Sequence, residues 1–325
     1  MSVKKLAICS RSFSKHPFLR SKVLEKYPDA KFNDKGLSLS GESLVKFLEG
    51  RNMAITALEF IDQKLLSQLP ELKTIGKYGV GLDMIDLDAL QSCGVKLGWS
   101  GGVNKRSVSE LALSHMISLL HRVPFANQVI QKREWYQVIG RQLSECTIGI
   151  VGCGHIGKDL IKLLSPFNCK VLINDIVIDH NFCDKYGAWP VTLDELMRSS
   201  DVVTLHLPFD DTTKNILNSN RLSLLKQDAI LINLARGGLV DEKELIKLLK
   251  SKKIAGAALD VFENEPLMDF SFLSLDNVII TPHIGGSTEE AIVAMGLAAI
   301  NGLETAKDAR LFKACLLYTS DAADE

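Results

Sequence analysis

The 325-residue sequence has almost no net charge and no long apolar run. A formal net charge of −1 gives no electrostatic reason to expect nucleic acid or an anionic membrane as a partner. No run approaches the roughly 18 apolar residues of a membrane span. The apolar stretch behind the basic N-terminus, residues 6–9, is too short for a secretory signal. A content of 46% hydrophobic and 24% charged residues is ordinary for a globular protein that is long enough for two domains.

Paired cysteines and metal-ligand patterns are missing too. The seven cysteines include no CxxC pair, and an odd count without a pattern is typical of a reducing cytosol, so we expect a cytoplasmic protein. Neither the cysteines nor His115 and His121, which lie on one predicted helix, show metal-ligand spacing, and we predict no metal site. No internal repeat or low-complexity linker is visible.

One turn carries most of the functional information, Gly152-x-Gly154-x-x-Gly157. The apolar run 147–151 predicts a short buried strand before the turn, and residues 155–164 predict a helix after it. The first glycine allows the tight turn, the second lets a pyrophosphate approach the backbone, and the third lets helix pack against strand. The helix N-terminus offers N–H groups and a positive dipole end to phosphates, so the turn predicts a dinucleotide site.

An acid follows this fingerprint at the distance typical of dinucleotide sites. The run 170–175 predicts a second strand that ends on Asp175, whose carboxylate could accept hydrogen bonds from both ribose hydroxyls. No arginine follows Asp175, so a 2′-phosphate would meet uncompensated negative charge. The sequence therefore predicts NAD rather than NADP as the cofactor.

Apolar runs alternate with helical patterns along the chain, which predicts an α/β fold with parallel sheets and crossover helices. The predicted strands are 6–9, 54–58, 74–76, 96–98, 147–151, 170–175, 202–207, 229–234, 256–261 and 278–281. Three capping boxes predict helix starts, at Ser107–Glu110, Thr192–Glu195 and Ser287–Glu290. The first would open a long helix that ends near Pro124, and the last would open a helix to about residue 307.

The doubly wound pattern begins only after residue 98, which predicts that one domain is inserted into another. We expect a dinucleotide-binding Rossmann domain at 99–286 and a discontinuous substrate-binding domain at 1–98 and 287–314. Residues 315–325 resemble one reading frame of a transposon-end adapter used to prepare DNA libraries. We therefore expect an artefactual tail there and a natural C-terminus that is unknown beyond Ala314.

Three polar side chains stand at the ends of successive predicted strands, where open α/β sheets bind ligands. Arg236, Glu265 and His283 follow the last three predicted strands in turn. Singly, such residues could be a helix cap, a solvated loop acid and a hydrogen-bonded core histidine. Together, and with the glycine fingerprint, they indicate recognition of a carboxylate combined with proton transfer.

The motifs GCGHIG, LARGG, ALDVFENEP and TPHIGGST carry a resemblance to a known family. Over roughly residues 50–305 the chain resembles the D-isomer-specific 2-hydroxyacid dehydrogenases, nearest to the phosphoglycerate dehydrogenase branch. The resemblance implies a Rossmann domain inserted into a smaller flavodoxin-like domain, and NAD-dependent hydride transfer with a small D-2-hydroxy or 2-oxo acid. It also implies a homodimer paired through the dinucleotide-binding domain, with the helix at 107–123 and the arm after it as the face.

The resemblance assigns roles residue by residue. Arg236 would bind the substrate carboxylate and 2-oxygen, His283 would be the acid/base, and Glu265 would hold the imidazole. His206 matches a position on the adenine side of the cofactor, and Asp260 matches one that contacts the nicotinamide amide. The other positions that match the cofactor site are Gly152, Gly154, His155, Ile156, Gly157, Asp175, Pro208, Ala235, Gly285 and Gly286.

A loop in the first domain, residues 77–80, offers a second anion contact. Its residues are Lys77, Tyr78, Gly79 and Val80. The loop could present backbone N–H groups to an anion, and in the family the matching loop holds the substrate carboxylate. Lys77 falls where phosphoglycerate dehydrogenases often carry arginine, so it would suit a phosphate, helped by Lys105 or Arg141. The alternative for Lys77 is a solvated surface lysine.

The resemblance favours 3-phosphoglycerate as the substrate, and the sequence departs from that branch of the family at two positions. Met84 replaces a common asparagine, and no basic residue follows Trp135 where relatives often have one. One alternative is a glyoxylate or hydroxypyruvate reductase, in which Lys77 has no role. The other is an NAD-sensing corepressor-like binding protein, which the lack of a long disordered tail disfavours.

Overall fold

The computed structural model of this chain describes residues 4–312, and the predicted tail at 315–325 lies outside them. The described chain divides into two units, residues 4–104 with 289–312 and residues 105–288. The boundaries expected from the sequence, at 98/99 and 286/287, fall slightly earlier along the chain. The assignment of the first unit to the substrate stays a prediction.

The first unit contains a parallel sheet with the strand order β2-β1-β3-β4-β5. Its strands are β1 (Leu6–Ile8), β2 (Lys31–Phe32), β3 (Met53–Thr56), β4 (Thr74–Lys77) and β5 (Lys96–Gly98). Its helices are α1 (Arg11–Lys15), α2 (Pro17–Lys26), α3 (Gly41–Leu48), α4 (Gln63–Leu66), α5 (Leu87–Ser92) and, from the later part of the chain, α13 (Glu289–Thr305). Helix α13 returns to this unit and packs Ala299, Ile300 and Leu303 with Leu6 and Ile8 of β1.

The second unit contains a parallel sheet with the order β12-β11-β10-β9-β6-β7-β8. Its strands are β6 (Thr147–Val151), β7 (Lys170–Asn174), β8 (Ala188–Pro190), β9 (Val202–Leu205), β10 (Ile230–Asn233), β11 (Gly256–Leu259) and β12 (Val278–Ile280). Its α-helices are α6 (Lys105–Leu120), α7 (Val123–Gln131), α8 (His155–Leu164), α9 (His180–Tyr186), α10 (Leu193–Ser199), α11 (Ser219–Leu222) and α12 (Glu242–Lys250). Short 3-10 helices lie at Leu143–Glu145, Ser165–Phe167, Gly237–Leu239 and Phe270–Ser274.

Both faces of this second sheet are buried. Ile148 and Ile150 of β6 point into one hydrophobic cluster, whereas Val151 of the same strand belongs to the cluster on the other face. A parallel strand covered on both faces is apolar along its whole length, which is why these strands read as continuous apolar runs. The α/β fold with parallel sheets is confirmed.

Three details of the secondary structure correct the sequence-based expectations. Strands β2 and β8 were not predicted, and both lie at sheet edges and are only 2 and 3 residues long. Helix α6 begins at Lys105, so the helix start predicted at Ser107 was wrong; the Ser107 hydroxyl donates instead to the carbonyl of Gly285. That helix also ends at Leu120, and Pro124 lies in the first turn of α7.

The other two helix-start predictions agree more closely with the structure. Thr192 accepts a hydrogen bond from the Glu195 N–H at 3.3 Å and caps α10, so this prediction is confirmed. Helix α13 begins at Glu289 and ends at Thr305, near the predicted end at 307.

Candidate active site

The predicted site residues of the second unit all follow carboxyl ends of strands in its sheet. Because the strands are parallel, these ends meet at one edge. The order places β6 between β7 and β9, so the chain winds outward to one side through β7 and then crosses to the other side at β9. A reversal of this kind is where open α/β sheets bind ligands.

Two glycines of the turn after β6, Gly152 and Gly157, have no room for a side chain. Gly152 has φ +95°, and a methyl group added there would lie 2.5 Å from the carbonyl oxygen of His206. A methyl group at Gly157 would collide with the carbonyl oxygen of Gly152. The turn and the first turn of α8 are therefore packed backbone to backbone, as a close approach of phosphates requires.

Helix α8 presents its N-terminus at the same edge. Gly154 is its N-cap residue, and no side chain in residues 4–312 caps it. His155 and Ile156 open the helix and are half-buried. A free helix N-terminus offers N–H groups and a positive dipole end to an anion.

Asp175 lies against this turn. One carboxylate oxygen accepts a hydrogen bond from the Cys153 N–H at 2.6 Å, and the other accepts one from the Val177 N–H at 3.1 Å. The acid at the end of β7 is thus held beside the glycine turn. The tight turn, the uncapped helix and the adjacent carboxylate fit the pyrophosphate and ribose of a dinucleotide.

His206 follows β9 next to the glycine turn. Its Nε2 lies 3.0 Å from the Thr204 hydroxyl, while its buried Nδ1 has no hydrogen-bond partner in residues 4–312. Burial lowers the pKa of His206 to about 3, so the ring is neutral near pH 7. Pro208, two residues on, is exposed, and its carbonyl accepts a hydrogen bond from the Thr213 hydroxyl.

Arg236 stands after β10 on a loop that Asn233 fixes. The Asn233 side chain accepts from the N–H of Ala235 at 3.1 Å and donates to the carbonyl of Arg236 at 2.8 Å. Arg236 is half-buried, and its Nη1 donates to the Ala235 carbonyl at 2.7 Å. A methyl group at the next residue, Gly237, would collide with the backbone of Phe262, so this loop contacts the loop after β11.

The loops after β11 and β12 bring Glu265 and His283 together. His283 Nδ1 lies 2.7 Å from Glu265 Oε2, and the other carboxylate oxygen accepts from the Phe262 N–H at 3.1 Å. The two side chains are 48% and 37% exposed, so the pair remains accessible to a ligand. Glu265 therefore holds the ring as the acceptor of an Nδ1 hydrogen bond, and Nε2 is the ring nitrogen on the side away from Glu265.

Asp260 fixes the loop that carries the histidine. It is fully buried, and its oxygens accept hydrogen bonds from the Thr281 hydroxyl at 2.6 Å, the Ile284 N–H at 2.7 Å and the Gly285 N–H at 2.8 Å. The Asp260 carbonyl also accepts from the His283 N–H at 2.8 Å. Gly286, the last predicted cofactor position, follows as a half-buried residue. The contact between Asp260 and a nicotinamide amide stays a prediction.

The predicted loop of the first unit follows β4. Lys77 is only 5% exposed, and its ammonium donates to the carbonyl of Ala57, so it is not the solvated surface lysine considered above. Tyr78 is buried against Phe13, with ring centroids 5.2 Å apart, and burial raises the pKa of its hydroxyl. Gly79 and Val80 are partly exposed.

Arg141 lies far from the site edge of its own sheet. It pairs with Asp201 at 3.2 Å and Asp228 at 2.7 Å; Asp201 directly precedes β9, and Asp228 lies two residues before the start of β10. That is the amino edge, whereas the predicted site residues follow the carboxyl ends. The suggestion that Arg141 helps to bind a phosphate was wrong, because its charge is used by two carboxylates at the opposite edge.

Sequence reasoning missed three residues that hold the site together, Asn233, Thr281 and Ser107. Asn233 is 1% exposed inside a buried strand, and a polar residue in an apolar run was a visible signal for it. Thr281 stands next to the predicted histidine motif. Ser107 has the spacing of a capping serine, and nothing in that spacing indicates its bond to Gly285.

In residues 4–312, no group of three or more histidine, cysteine, aspartate or glutamate side chains could hold a metal ion. Within the same residues, every helix is too short or too polar to cross a membrane.

Comparison with known proteins identifies the family. Residues 113–285 match the family profile described as "D-isomer specific 2-hydroxyacid dehydrogenase, NAD binding domain". The glyoxylate reductase of Thermococcus litoralis is 33% identical over 297 residues, which cover 88% of this chain and 90% of the relative. The chain belongs to the D-isomer specific 2-hydroxyacid dehydrogenase family and carries its NAD binding domain.

Other relatives are longer than this chain or are named for a different enzyme activity. The D-3-phosphoglycerate dehydrogenase of Methanocaldococcus jannaschii is 36% identical over 258 residues, which cover 78% of this chain and 49% of the relative. The chain thus spans about half the length of the curated phosphoglycerate dehydrogenases that it matches. The crystal structure of D-lactate dehydrogenase from Aquifex aeolicus, complexed with NAD and lactic acid, superposes with a TM-score of 0.81 at 27% identity. That match covers 93% of this chain and 94% of that one.

Proposed function

We propose that this chain is an NAD-dependent dehydrogenase that transfers a hydride between the cofactor and a small D-2-hydroxy or 2-oxo acid. One observation carries the proposal, the accessible pair of His283 and Glu265 at 2.7 Å, on a sheet edge where the loop of Arg236 also lies. A histidine held by a carboxylate can move a proton at an alcohol or carbonyl oxygen. A guanidinium binds a carboxylate through two parallel hydrogen bonds.

Each side chain of the site has a separate role in this reaction. The nicotinamide, when bound, accepts or supplies the hydride. In oxidation, Nε2 of His283 takes the proton of the substrate hydroxyl, and in reduction the same nitrogen returns a proton to the new hydroxyl oxygen. Glu265 stabilises the imidazolium that oxidation produces, because an adjacent negative charge favours a cation. Arg236 fixes the substrate by its carboxylate, so that only one face of C2 is presented to the cofactor.

The first candidate substrate is 3-phosphoglycerate. It is supported by the relative named D-3-phosphoglycerate dehydrogenase at 36% identity and by the cation at position 77. A lysine ammonium is a compact charge that phosphate-binding sites commonly use.

Glyoxylate or hydroxypyruvate is the second candidate, and one observation favours it. The ammonium of Lys77 is buried and donates to the Ala57 carbonyl, and Arg141 lies at the opposite edge of its sheet. Neither cation is therefore a flexible surface side chain that could reach out to bind a phosphate. The 33% identity to a glyoxylate reductase is consistent with a substrate acid that has no phosphate.

Steady-state kinetics with the purified chain would test both candidates. We would measure reduction of glyoxylate, hydroxypyruvate and 3-phosphohydroxypyruvate with NADH, and oxidation of 3-phosphoglycerate with NAD. A kcat/KM at least about tenfold higher for the phosphorylated acid, a preference of about 1.4 kcal/mol, supports the first candidate, and the reverse order supports the second. NADH binding, followed by its fluorescence, without turnover of any acid would instead support the corepressor-like alternative and overturn the proposal.

We further propose that the second unit forms a homodimer. The segment after α6 exposes large hydrophobic side chains, with Trp135 at 90% and Ile139 at 88% exposure. Val123, Ile130 and Tyr136 in the same segment are more than half exposed. Apolar surface of this kind marks interaction sites, and a second copy of the chain is the partner that we propose.

The proposed compartment is the cytoplasm. The six cysteines in residues 4–312 are all free thiols, and four of them are buried. Burial raises the pKa of Cys153 to about 12, so this thiol beside the glycine turn stays protonated and unreactive. Free thiols without disulfides are what a reducing compartment supports.

A further inference from the structure

The start of helix α6 contacts two parts of the candidate site through buried serine side chains. Ser107 is 6% exposed, and its hydroxyl donates to the carbonyl of Gly285 at 2.6 Å. Ser109 is fully buried, and its hydroxyl donates to the carbonyl of Ile156 at 3.2 Å. Gly285 lies two residues after His283, whereas Ile156 lies in the first turn of α8, which follows the glycine turn. Two serines that stand two residues apart on one helix therefore bond to different parts of the site.

The bond from Ser107 fixes the loop of His283 on the side of α6. The Gly285 N–H donates to the Asp260 carboxylate at 2.8 Å, so Gly285 is held through both polar groups of its backbone. A methyl group added at Gly285 would lie 3.2 Å from the Asp260 carboxylate and 3.5 Å from Val108 of α6, so the loop packs closely against this helix. Removing the Ser107 hydroxyl would leave the buried Gly285 carbonyl without this donor, which costs free energy that a shift of the loop would lower.

Two contacts fix helix α8 on the other side of α6. Besides the bond from Ser109, Arg106 pairs with Asp159 of α8, with Nε 3.0 Å from one carboxylate oxygen and Nη2 3.0 Å from the other. The Asp159 side chain is only 7% exposed, so this pair is shielded on the side of the acid. These contacts hold the first two turns of α8, whose N-terminus presents its N–H groups at the sheet edge. Because a pyrophosphate binds at such a turn, a displaced α8 would bind the cofactor less tightly.

We infer that α6 positions the acid/base histidine and the cofactor turn through two separate residues, Ser107 for His283 and Ser109 for α8. The inference rests on the proposed function for the roles of these two parts. Because both serines belong to one helix, they set the histidine and the cofactor at a fixed distance from each other. A misplacement of about 1 Å can lower a rate by about a hundredfold. Loss of the Ser107 hydroxyl should therefore impair turnover, whereas loss of the Ser109 hydroxyl should impair cofactor binding.

The test compares Ser107→Ala with Ser109→Ala, two matched removals of a buried hydroxyl from the same helix. In Ser107→Ala we expect kcat to fall about tenfold, measured with the 2-oxo acid that the wild type reduces best, while the Kd for NADH changes far less. In Ser109→Ala we expect the Kd for NADH, measured by fluorescence titration, to rise about tenfold, while kcat at saturating NADH falls far less. Urea denaturation should show similar losses of stability in both variants.

Two further variants complete the comparison. Ser114→Ala removes an exposed serine from α6 and should match the wild type in every measurement. Ser107→Cys keeps the size of the side chain and a weaker donor, so its kcat should lie between those of Ser107→Ala and the wild type. It also repeats the test if Ser107→Ala does not fold.

A measurement on the histidine itself separates this inference from the proposed function. The imidazole nitrogen NMR signals of His283, assigned by comparison with His283→Ala, would be recorded for each cofactor-free protein. A shift of these signals in Ser107→Ala but not in Ser109→Ala supports the inference, even if no acid is turned over and the proposed function falls. The inference is overturned if both serine variants change kcat and the Kd for NADH by the same factors, if only stability changes, or if the His283 signals of Ser107→Ala equal those of the wild type.

Discussion

His283 is constrained at its backbone and at its ring. Its φ of +55° lies in the left-handed region, which costs a residue with a side chain about 1 kcal/mol. Hydrogen bonds from the His283 N–H to the carbonyls of Asp260 and Thr281 offset this cost. With Nδ1 bound to Glu265, the backbone sets the position of the ring and the carboxylate sets its rotation.

Replacing His283 with alanine tests its proposed role in proton transfer. We expect the turnover number to fall at least about a hundredfold, because positioned acid/base groups typically contribute that much. Affinity for NADH, followed by fluorescence titration, should remain near the wild-type value. His180→Ala removes an exposed histidine from the start of α9 and serves as the control. Equal rates for His283→Ala and the control would refute the assignment.

Arg236→Lys tests whether the paired N–H donors of the guanidinium are needed, since lysine keeps the positive charge and lacks these paired donors. We expect KM for the acid to rise about tenfold or more and turnover to fall, because a point charge orients the carboxylate poorly. Steady-state kinetics would measure both, with Arg198→Lys, an exposed residue on α10, as the control. Unchanged KM and turnover would show that Arg236 does not contact the substrate.

His206 should make the protein sensitive to acid. Its pKa is held at about 3 in the folded chain, against about 6.5 when unfolded. Between these values the unfolded chain binds a proton that the folded chain does not, so stability falls as the pH drops from about 6.5 toward 3. The slope for one such group is at most about 1.4 kcal/mol per pH unit.

His206→Gln should remove this contribution, so its free energy of unfolding should fall less than that of the wild type as the pH drops. Urea denaturation of the cofactor-free protein at about pH 7 and about pH 5 would measure the difference. His121→Gln, at an exposed position, is the control and should keep the wild-type dependence. Parallel pH dependences for wild type and His206→Gln would contradict the expectation.

The sequence could indicate which residues stand at the sheet edge but not what holds them there. Arg236, Glu265 and His283 were visible because each follows an apolar run, and the structure brings Glu265 and His283 into contact. Their roles in catalysis stay predictions. The bonds that fix their loops, from Asn233 and Ser107, depend on side-chain directions and on packing between elements, which spacing along the chain does not reveal.

At the scale of elements, buried strands were predictable and edge strands were not. Residues 147–151 and 155–164 were predicted as strand and helix, and both ranges agree with the structure. Strand β2 has only 2 residues and β8 ends on Pro190, so neither shows a continuous apolar run. The start of α6 was misjudged because a serine that bonds across to Gly285 has the same spacing as a capping serine.

The contact of β6 and α8 through glycine can be tested by Gly157→Ala. The added methyl group would collide with the Gly152 carbonyl, so α8 must shift away from the turn. We expect affinity for NADH to fall at least about tenfold, and the free energy of unfolding to fall by about 1–3 kcal/mol, as for overpacked cores. Fluorescence titration and urea denaturation would measure these changes. Lys162→Ala, an exposed change on the same helix, should leave both near wild type.

At the scale of the whole molecule, the late position of the glycine fingerprint along the chain indicated that one domain is inserted into another. A first unit that precedes the fingerprint and resumes after it was expected, and the described chain returns to that unit at residue 289. The substrate could not be predicted at this scale, because the shared fold and the Arg–Glu–His set suit any small 2-hydroxy acid. Discrimination between such acids depends on a few contacts around the bound acid, which the fold alone does not specify.

The proposed homodimer predicts that a charge on the segment after α6 separates the copies. Trp135 and Ile139 are about 90% exposed, and in the proposed dimer they would be buried against the second chain. A glutamate at either position would then have to be desolvated without a partner, which costs several kcal/mol per ion. We therefore expect Trp135→Glu combined with Ile139→Glu to be a monomer at micromolar concentration, where the wild type is a dimer by light scattering. Trp189→Glu, an exposed tryptophan on β8, should remain dimeric. A monomeric wild type, or a double variant that still has the mass of two chains, would remove this segment as the interface.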